Sequence, residues 1–473
     1  MRTNIGTFGG NAHRMKTLLP AVILLCISLF GGPLFAHENT TQSVMRLSPN
    51  EAVELAIRNN LALESSRISA DSARRASNLS WNQFIPAVDI GGALFRLNTV
   101  PDNMMGMPLP PEMRPPQWSL AGSVSASLNI NLAMFAEMGR LRLEFERGLV
   151  SYSKARAQIE RDVRKLYHNA LLLQENVALL HGSLETAERQ VQIAQANFNA
   201  GLASELTVLQ AQVARETMRP IIDQAEDGLY LLMMQFAMFL GLPPCTDFEL
   251  APIPTGMDSL SLDTAELVRR ASSGQPDIQA LRQDILVMNS IRRSGRLALF
   301  TPTITLGWNA DPAFSGDPWE DSWSDGDLWN QQQGAFTVSI GFRLNGLLPF
   351  GAERQGLRDL DDQIRLASIG LAQMIRGTEI EIHNLVRTLE RIKLSMDALE
   401  QTVELAERSF DLTEQAYRAG VADFFQVQNA ELSLRQARAQ LLEQWFNYLN
   451  GLLDLEYALG IPFGTLTSSE NIN

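Results

Sequence analysis

The side chains that most often carry out chemistry are few and scattered in this sequence. The histidines outside the first 36 residues are His37, His168, His181 and His383. None of them stands at a spacing typical of metal ligands. No GxSxG motif, phosphate-binding loop or paired-cysteine motif is present. We therefore predict no catalytic residue, no cofactor and no metal site, so that function must come from how the elements are arranged.

The N-terminus is typical of a secretory signal peptide. An apolar run from Leu18 to Phe30 follows Lys16 and is ended by Gly31-Gly32-Pro33, with Ala36 before polar residues. We predict cleavage near Ala36, so that residues 1–36 form the leader, and Met15 is an alternative start. Cys26 falls in this leader, which leaves Cys245 as the single thiol of the mature chain and excludes an internal disulfide.

The charge of the chain is strongly acidic. The 53 acidic and 39 basic side chains give a net charge of −14, and loss of the three basic leader residues leaves 36 basic groups and a charge of −17. Nucleic acid is disfavoured as a partner, because neutralising phosphates requires a basic surface. No segment after the leader has the roughly 20 consecutive apolar residues of a membrane helix.

The chain contains an internal duplication with a constant offset of 219 residues. Glu185-Thr186-Ala187-Glu188-Arg189 matches Glu404-Leu405-Ala406-Glu407-Arg408, and Leu240-Gly241-Leu242-Pro243 matches Leu459-Gly460-Ile461-Pro462. We predict two repeats, 37–259 and 260–473. Each is expected to contain a helix, a strand, a loop, a strand and a long helical hairpin. The predicted strands are about 84–97, 118–132, 301–309 and 335–345, and the predicted hairpins are about 138–240 and 353–459.

Two capping boxes are predicted to begin the short helix of each repeat. Ser48 with Glu51 forms the first, and Asp263 with Glu266 forms the second. Each helix is expected to continue to a proline, Pro86 or Pro302.

The strands alternate between apolar and polar residues. In the second strand the even positions from Leu120 to Leu132 are apolar or glycine, and positions 119, 123, 125, 127, 129 and 131 are serine or asparagine. A strand with one face in a protein core would show the same alternation. However, these strands are long enough to cross a bilayer at a tilt and follow a signal peptide, which favours an outer-membrane β-barrel. Four strands cannot close a barrel, so several chains must contribute.

Two loops between the strands could bind metal. The first contains Met104-Met105-Gly106-Met107 and Met113, residues that soft metal ions favour. The second contains three tryptophans and six acidic residues: Trp319, Trp323, Trp329, Asp311, Asp317, Glu320, Asp321, Asp325 and Asp327. We prefer the simpler interpretation of a proline-rich outer loop and a solvated loop with interfacial aromatics.

The long helices show coiled-coil periodicity. Apolar residues recur at spacings of four and three, as Leu184, Ala187, Val191, Ala194 and Phe198, and again as Val403, Ala406, Phe410, Thr413 and Tyr417. Gly201 and Gly420 are predicted to end the descending helices in the left-handed conformation. Ser204 and Asp423 are predicted to cap the returning helices.

This pattern resembles the TolC-type outer-membrane efflux protein family. The resemblance rests on Phe198-x-x-Gly201 and Tyr417-x-x-Gly420 at the hairpin tips, on Pro349-Phe350-Gly351 with Arg354, and on the two Leu-Gly-x-Pro helix ends. It implies a mainly α-helical protein with a transmembrane β-barrel portion. In that arrangement a homotrimer forms a 12-stranded barrel in outer-membrane lipid and a periplasmic helical tunnel. The implied partners are a periplasmic adaptor protein and an inner-membrane pump or secretion ATPase.

The resemblance also implies roles for the tip residues. Those expected to contact the adaptor are Phe198, Gly201, Ala203, Ser204, Tyr417, Gly420, Ala422 and Asp423. The positions six and nine residues after the second tip glycine are acidic in this family and ring the aperture, but here they are Gln426 and Asn429. Their first-repeat counterparts are Thr207 and Gln210, and Glu205 and Asp423 are the nearest charged substitutes.

Two further departures from the family pattern have structural consequences. Asn131-Leu132 replaces the proline expected where the second strand meets the long helix. Pro220 falls inside the first returning helix and is predicted to kink or interrupt it.

Two other classes of protein are weighed against a channel. A trimeric coiled-coil surface or adhesin protein would lack the internal duplication, and a periplasmic enzyme would require a polar constellation that is absent. The exported substrate, whether drug, metal ion or protein, does not follow from these residues.

Overall fold

The computed structural model describes residues 45–104, 106–108, 110, 114–244, 246–253, 263–319, 321–330 and 334–466. The predicted leader and both cysteines lie outside the described residues, as do Met105, Met113 and Glu320. The described residues from Arg46 onward belong to one compact unit, and the following concerns that unit.

The elements follow the predicted duplicated order. In the first repeat they are β1 (Met45–Leu47), α1 (Pro49–Asn59), α2 (Leu61–Asn78), β2 (Ala87–Arg96), β3 (Asn103–Met104), β4 (Met107–Pro108), β5 (Trp118–Ile130), α3 (Leu132–Asn199), α4 (Glu205–Phe239) and β6 (Phe248–Leu250). In the second they are α5 (Thr264–Gly274), α6 (Pro276–Phe300), β7 (Thr303–Ala310), β8 (Ala313–Phe314), β9 (Trp329–Asn330), β10 (Gly334–Gly341), α7 (Ala352–Arg418) and α8 (Phe424–Leu459). Among the described residues, no helix combines the length and apolar character needed to cross a membrane.

The predicted single helix before each strand pair is wrong, because each is broken into two. Asn60 separates α1 from α2: its Oδ1 accepts the N–H groups of Ala62 and Leu63, and its Nδ2 donates to the carbonyl of Phe239 at 3.1 Å. Gln275 separates α5 from α6, where Pro276 cannot supply a helical donor. The Gln275 Oε1 atom accepts a buried hydrogen bond from Thr378 at 2.5 Å. Both breaks are therefore fixed by contacts with distant helices.

The two predicted capping boxes differ in the structure. At Ser48 both reciprocal hydrogen bonds with Glu51 are present. Asp263 caps α5 by accepting the N–H of Ala265 at 3.0 Å, but Glu266 pairs with Arg269 instead of returning to the cap.

The helix breaks pack against glycines that end the returning helices. Gly241, at φ +74°, lies against Asn59, and Gly460, at φ +66°, lies against Gly274. A Cβ atom on Gly241 would lie 2.6 Å from the carbonyl oxygen of Asn59. These close backbone approaches join the short helices of each repeat to the base of its own hairpin.

The main cores lie where the short helices meet the hairpins. Tyr167, which is fully buried, donates to the carbonyl of Ala251 at 2.6 Å and packs edge-on against Phe236. In the second repeat the fully buried carboxylate of Glu456 accepts the N–H of Leu466 at 2.7 Å and the N–H of Gly464 at 3.0 Å. Burial raises the pKa of Glu456, and these hydrogen bonds oppose the shift. The chain after α8 is thereby held against the helices.

Candidate functional site

The four long strands form one antiparallel sheet in the order β2-β5-β7-β10. Its register pairs residues of the same kind: Ile90 lies opposite Val124, Leu128 opposite Leu306, and Ile304 opposite Ile340. The alternation predicted for each strand is therefore continuous across all four strands. One face of the sheet is apolar or glycine along almost its whole length, and the other carries the Ser, Thr and Asn residues together with Ala93, Phe95 and Ala121.

The apolar face is open. Ile90 is 81% exposed and Ile340 is 73% exposed, which is far beyond what a sandwich core would leave uncovered. On the polar face, Thr305 donates to the side chain of Asn129 at 2.7 Å. These exposures fit a sheet with lipid on one side and water on the other.

The junctions between sheet and helices differ slightly from the prediction. The helix α3 begins at Leu132 rather than near 138, because Asn131 caps it by accepting the N–H of Met134 at 3.1 Å. Asparagine at the expected proline position therefore begins the helix directly. The last strand, β10, ends at Gly341, and a 3-10 turn over Leu344–Leu347 follows it.

The acidic residues of the second loop form hydrogen bonds within the loop. Asp317 accepts the N–H of Trp319 at 2.8 Å, Asp321 accepts the N–H of Asp317 at 2.7 Å, and Asp325 accepts the N–H of Asp327 at 3.1 Å. Across the part of the chain that the structure describes, no cluster of three or more His, Cys, Asp or Glu residues could hold a metal ion. In the first loop β3 and β4 form a short hairpin.

Two tryptophans and an arginine pack together at the end of the sheet where β2 ends and β5 begins. The Trp118 and Trp319 rings pack edge-on with centroids 5.5 Å apart, and the Arg96 guanidinium lies 5.6 Å from the Trp118 ring centroid. Such a cluster is typical of residues at a membrane interface.

Both hairpin tips have the same backbone geometry. Gly201 and Gly420 have φ values of +74° and +71°, in the left-handed region that the sequence indicated. At each tip the N–H after the glycine returns to the helix, from Leu202 to the carbonyl of Asn197 and from Val421 to that of Ala416. These are Schellman ends, which satisfy the last carbonyls of α3 and α7. Ser204 and Asp423 cap the returning helices through the N–H groups of Thr207 and Gln426.

The two tips lie against each other. Asn197, which is buried, donates through Nδ2 to the backbone carbonyl of Tyr417 at 3.2 Å. Leu202 approaches to 3.6 Å from where a Cβ atom on Gly420 would lie. Sequence reasoning missed both Asn197 and Leu202. Asn197 lies next to the predicted seam position Phe198, and only the three-dimensional packing shows that the polar neighbour faces inward.

The predicted tip residues differ in exposure. Tyr417 is buried and packs on Phe424 with ring centroids 6.2 Å apart, whereas Phe198 is 40% exposed. The predicted adaptor-contacting residues that are exposed are Phe198, Gly201, Ser204, Gly420 and Asp423, while Ala203 and Ala422 are half-buried. Among the aperture candidates, Glu205, Gln426 and Asn429 are exposed, and Thr207 and Gln210 are half-buried.

The predicted seams are arranged differently in the two repeats. In the second repeat Phe410 and Tyr417 are buried as expected. In the first, the buried side of α3 includes polar residues one position from the predicted seam, namely Ser183, Thr186, Gln190 and Asn197. The helix α4 continues through Pro220, which is exposed, so the predicted interruption of this helix is wrong.

A duplicated strand pair with an open apolar face, joined to a long helical hairpin, defines the class of outer-membrane channel proteins with a periplasmic helical tunnel. The profile of the outer membrane efflux protein family matches residues 52–227. The chain is similar to this family over that segment, as the sequence resemblance predicted. The sheet is the outer-membrane part and the long helices are the periplasmic part, as predicted.

Individual relatives are distant. The chain is 22% identical to the alkaline protease secretion protein AprF of Pseudomonas aeruginosa, over 71% of this chain and 69% of AprF. It is 22% identical to the probable efflux pump outer membrane protein TtgC of Pseudomonas putida, over 87% of this chain and 82% of TtgC.

Solved structures show the same fold. The CmeC outer membrane channel of Campylobacter jejuni matches with a TM-score of 0.72 at 17% identity, covering 87% of this chain and 85% of CmeC. The outer membrane protein VceC of Vibrio cholerae matches with a TM-score of 0.68 at 18% identity, covering 88% of this chain and 96% of VceC. The fold class predicted from the sequence is confirmed, and the adhesin alternative is not favoured.

Proposed function

We propose that this chain forms the trimeric, passive exit duct of a tripartite efflux system or a type I secretion system. The observation that carries the proposal is the open apolar face of a four-stranded sheet. The chain continues from this sheet into two long helical hairpins. A sheet of four strands has two edges, β2 and β10, and cannot close by itself. Pairing β2 of one copy with β10 of the next would close a ring, and three copies would supply the 12 strands that the family resemblance implies.

The helices carry matching unpaired faces. Within one chain α3 packs on α4, α7 packs on α8, and α3 also packs on α8. Exposed apolar residues lie at spacings of three and four along α4, as Leu206, Leu209 and Val213. On α7 the exposed apolar residues include Leu394, Leu405 and Leu412. Packing of α4 against α7 of the next copy would bury both sets in a heterologous ring contact.

The tips are the surface that we assign to the adaptor. They are the ends of the helical part farthest from the sheet, and they combine exposed apolar residues with rigid Schellman turns. Gln426 and Asn429, with Thr207, Gln210 and Glu205, are proposed to line the aperture. It would then carry mainly amide and hydroxyl groups, with the carboxylate of Glu205 as its acidic group. The inner-membrane partner is a pump or a secretion ATPase, and no catalytic step is assigned to this chain.

The relatives cover both kinds of system. AprF is named for secretion of a protease, and TtgC for an efflux pump. The proposed repeats remain 37–259 and 260–473, after a leader of residues 1–36.

The proposal is tested by cross-linking the ring. Leu209 lies eight residues after Gly201 and Leu412 eight residues before Gly420, so both lie about 12 Å from their tips at 1.5 Å per residue. In Leu209→Cys/Leu412→Cys, oxidation should convert the protein to covalent trimers in the outer membrane. Each single variant is the control and should give none. A detergent-extracted monomer, or a double variant that yields only intramolecular disulfides, would refute the ring.

A further inference from the structure

A cavity unrelated to the tunnel ends lies between α3, α7 and α8, beside the segment that follows β6. Its volume is about 730 Å³, within the range of pockets that hold a drug-sized molecule. All of its lining residues belong to one chain, and they come from both repeats. The cavity is therefore formed by residues of a single chain.

The floor of the cavity is apolar and aromatic. Leu171, Met396 and Phe446 are buried at its base, and the half-buried Trp445 packs edge-on against Phe446 with centroids 4.8 Å apart. Pro252 and Ile253 close one side. Aromatic and aliphatic side chains thus line the base together, which suits an aromatic body.

The rim of the cavity is acidic. Glu175 on α3 and Asp397 and Glu400 on α7 are exposed around the opening. Two basic residues also line it, but Arg438 is bound by Glu407 at 2.6 Å, which leaves Lys393 against three carboxylates. The rim thus has a formal excess of two negative charges.

We propose that this cavity binds an amphipathic organic cation with an aromatic body. The apolar floor would take the aromatic groups, and the carboxylates with the π faces of the floor would hold the positive charge. Because Glu175 belongs to the first repeat and Asp397 and Glu400 to the second, one bound cation would also offset the repulsion between the helices that carry these acids. Binding should therefore stabilise the protein against thermal unfolding.

The test uses the full-length protein in non-ionic detergent with tetraphenylphosphonium as the probe. In equilibrium dialysis against the same detergent, one saturable site per chain is expected, with a rise in the thermal midpoint. Tetraphenylborate, an anion of the same shape, should show no saturable binding. The variant Asp397→Asn/Glu400→Gln should bind the cation at least tenfold more weakly.

A matched control removes two carboxylates from the same helix outside the cavity, as Asp359→Asn/Asp362→Asn, and should bind like wild type. The single variant Glu400→Gln provides a milder change, should the double variant fail to fold, and should bind severalfold more weakly. The proposal is overturned by the absence of saturable binding, by equal binding of the anion, or by equal weakening in the control. A trimer that assembles and conducts without binding the cation would overturn this inference alone and leave the proposed channel intact.

Discussion

At the scale of single residues, glycines decide how closely the two parts of each repeat can approach. Gly241 combines a positive φ with a backbone contact to Asn59, so a side chain there meets both strain and a clash. Left-handed strain alone costs on the order of 1 to 3 kcal/mol. We expect Gly241→Ala to lower the thermal midpoint of the purified protein.

The control for this change is Gly377→Ala. Gly377 is exposed in α7, a Cβ atom there would meet nothing within 4 Å, and alanine in a helix is favoured by roughly 0.5 to 1 kcal/mol. Gly377→Ala should leave the thermal midpoint unchanged or raise it. If Gly241→Ala behaved in the same way, the close approach to Asn59 would not matter for stability.

His168 should make stability depend on pH. Burial lowers the pKa of this ring from 6.5 to about 4, against a hydrogen bond to Asn450 at 2.9 Å that favours the charged form. Between these two values the unfolded chain binds a proton that the folded chain does not, so stability falls as the pH is lowered from 6.5 to 4. The contribution is about 3 kcal/mol, from 1.36 kcal/mol for each pKa unit.

The variant His168→Gln keeps a hydrogen-bonding group opposite Asn450 without the titration. Its thermal midpoint should therefore decrease less between pH 7 and pH 4.5 than that of wild type. An equal decrease in the two proteins would show that His168 does not titrate with a lowered pKa.

At the scale of elements, local patterns predicted the strands, the tip glycines and the caps at Ser48, Ser204 and Asp423. Each of these depends on a periodic pattern or on a residue type that acts within four positions, so the local sequence is enough to predict it. The breaks at Asn60 and Gln275 were missed, although each has a local signal, namely the Asn60 cap of Ala62 and Leu63 and the proline after Gln275. What the local sequence does not contain is the contact that fixes each break, because the partners Phe239 and Thr378 lie 179 and 103 residues away.

The seam of the first hairpin shows a second kind of limit. The spacing of Leu184, Ala187 and Val191 indicates a coiled coil, but it does not say which partner each face meets. A face that packs on α8 of the same chain, as observed, and a face that would pack on another copy, as proposed, both require a repeat of this kind. Buried Gln190 and Asn197 mark the face toward the second repeat, where polar residues had not been expected.

The two faces of the sheet yield a prediction at the same scale. Ile340 and Ser339 are neighbours on β10 with opposite directions, and Ile340 lies on the exposed apolar face. An arginine at the bilayer midplane of a barrel costs about 2 to 4 kcal/mol. Ile340→Arg should therefore reduce the amount of trimer in the outer membrane, as should Leu128→Arg on β5.

The matched changes on the polar face are Ser339→Arg and Ser127→Arg. Both should assemble normally and change the single-channel conductance instead, since the added charge would lie in water. Equal trimer yields from the apolar-face and polar-face variants would show that the assignment of faces is wrong.

At the scale of the whole molecule, one chain leaves two sets of surfaces without a partner: the sheet edges β2 and β10, and the outer faces of α4 and α7. A single rotation between copies would pair both sets, because β2 and α4 belong to the first repeat and β10 and α7 to the second. The tips at the far end of the hairpins have no such partner in a ring of copies. Their exposed residues remain available to a different protein, which is why the adaptor is assigned to them.

The tip assignment predicts separate effects on assembly and on transport. Valine at Gly201 and Gly420 would strain each turn by on the order of 1 to 3 kcal/mol. That is too little to unfold a large helical trimer, but it would alter the turns where an adaptor docks. Gly201→Val/Gly420→Val should therefore insert and assemble like wild type while transport falls.

Cysteines placed beside the tip glycines show whether a partner protein binds the tips. Ala203→Cys and Ala422→Cys should cross-link to a co-expressed adaptor in the wild-type background, and the cross-link should weaken in the double valine variant. The variant Gly241→Ala, at the base of the hairpin, is the control for destabilisation away from the tips. It should lower the thermal midpoint without changing the cross-link. Unchanged transport in the double valine variant, with no adaptor cross-link from either cysteine, would mean that these glycines only end helices.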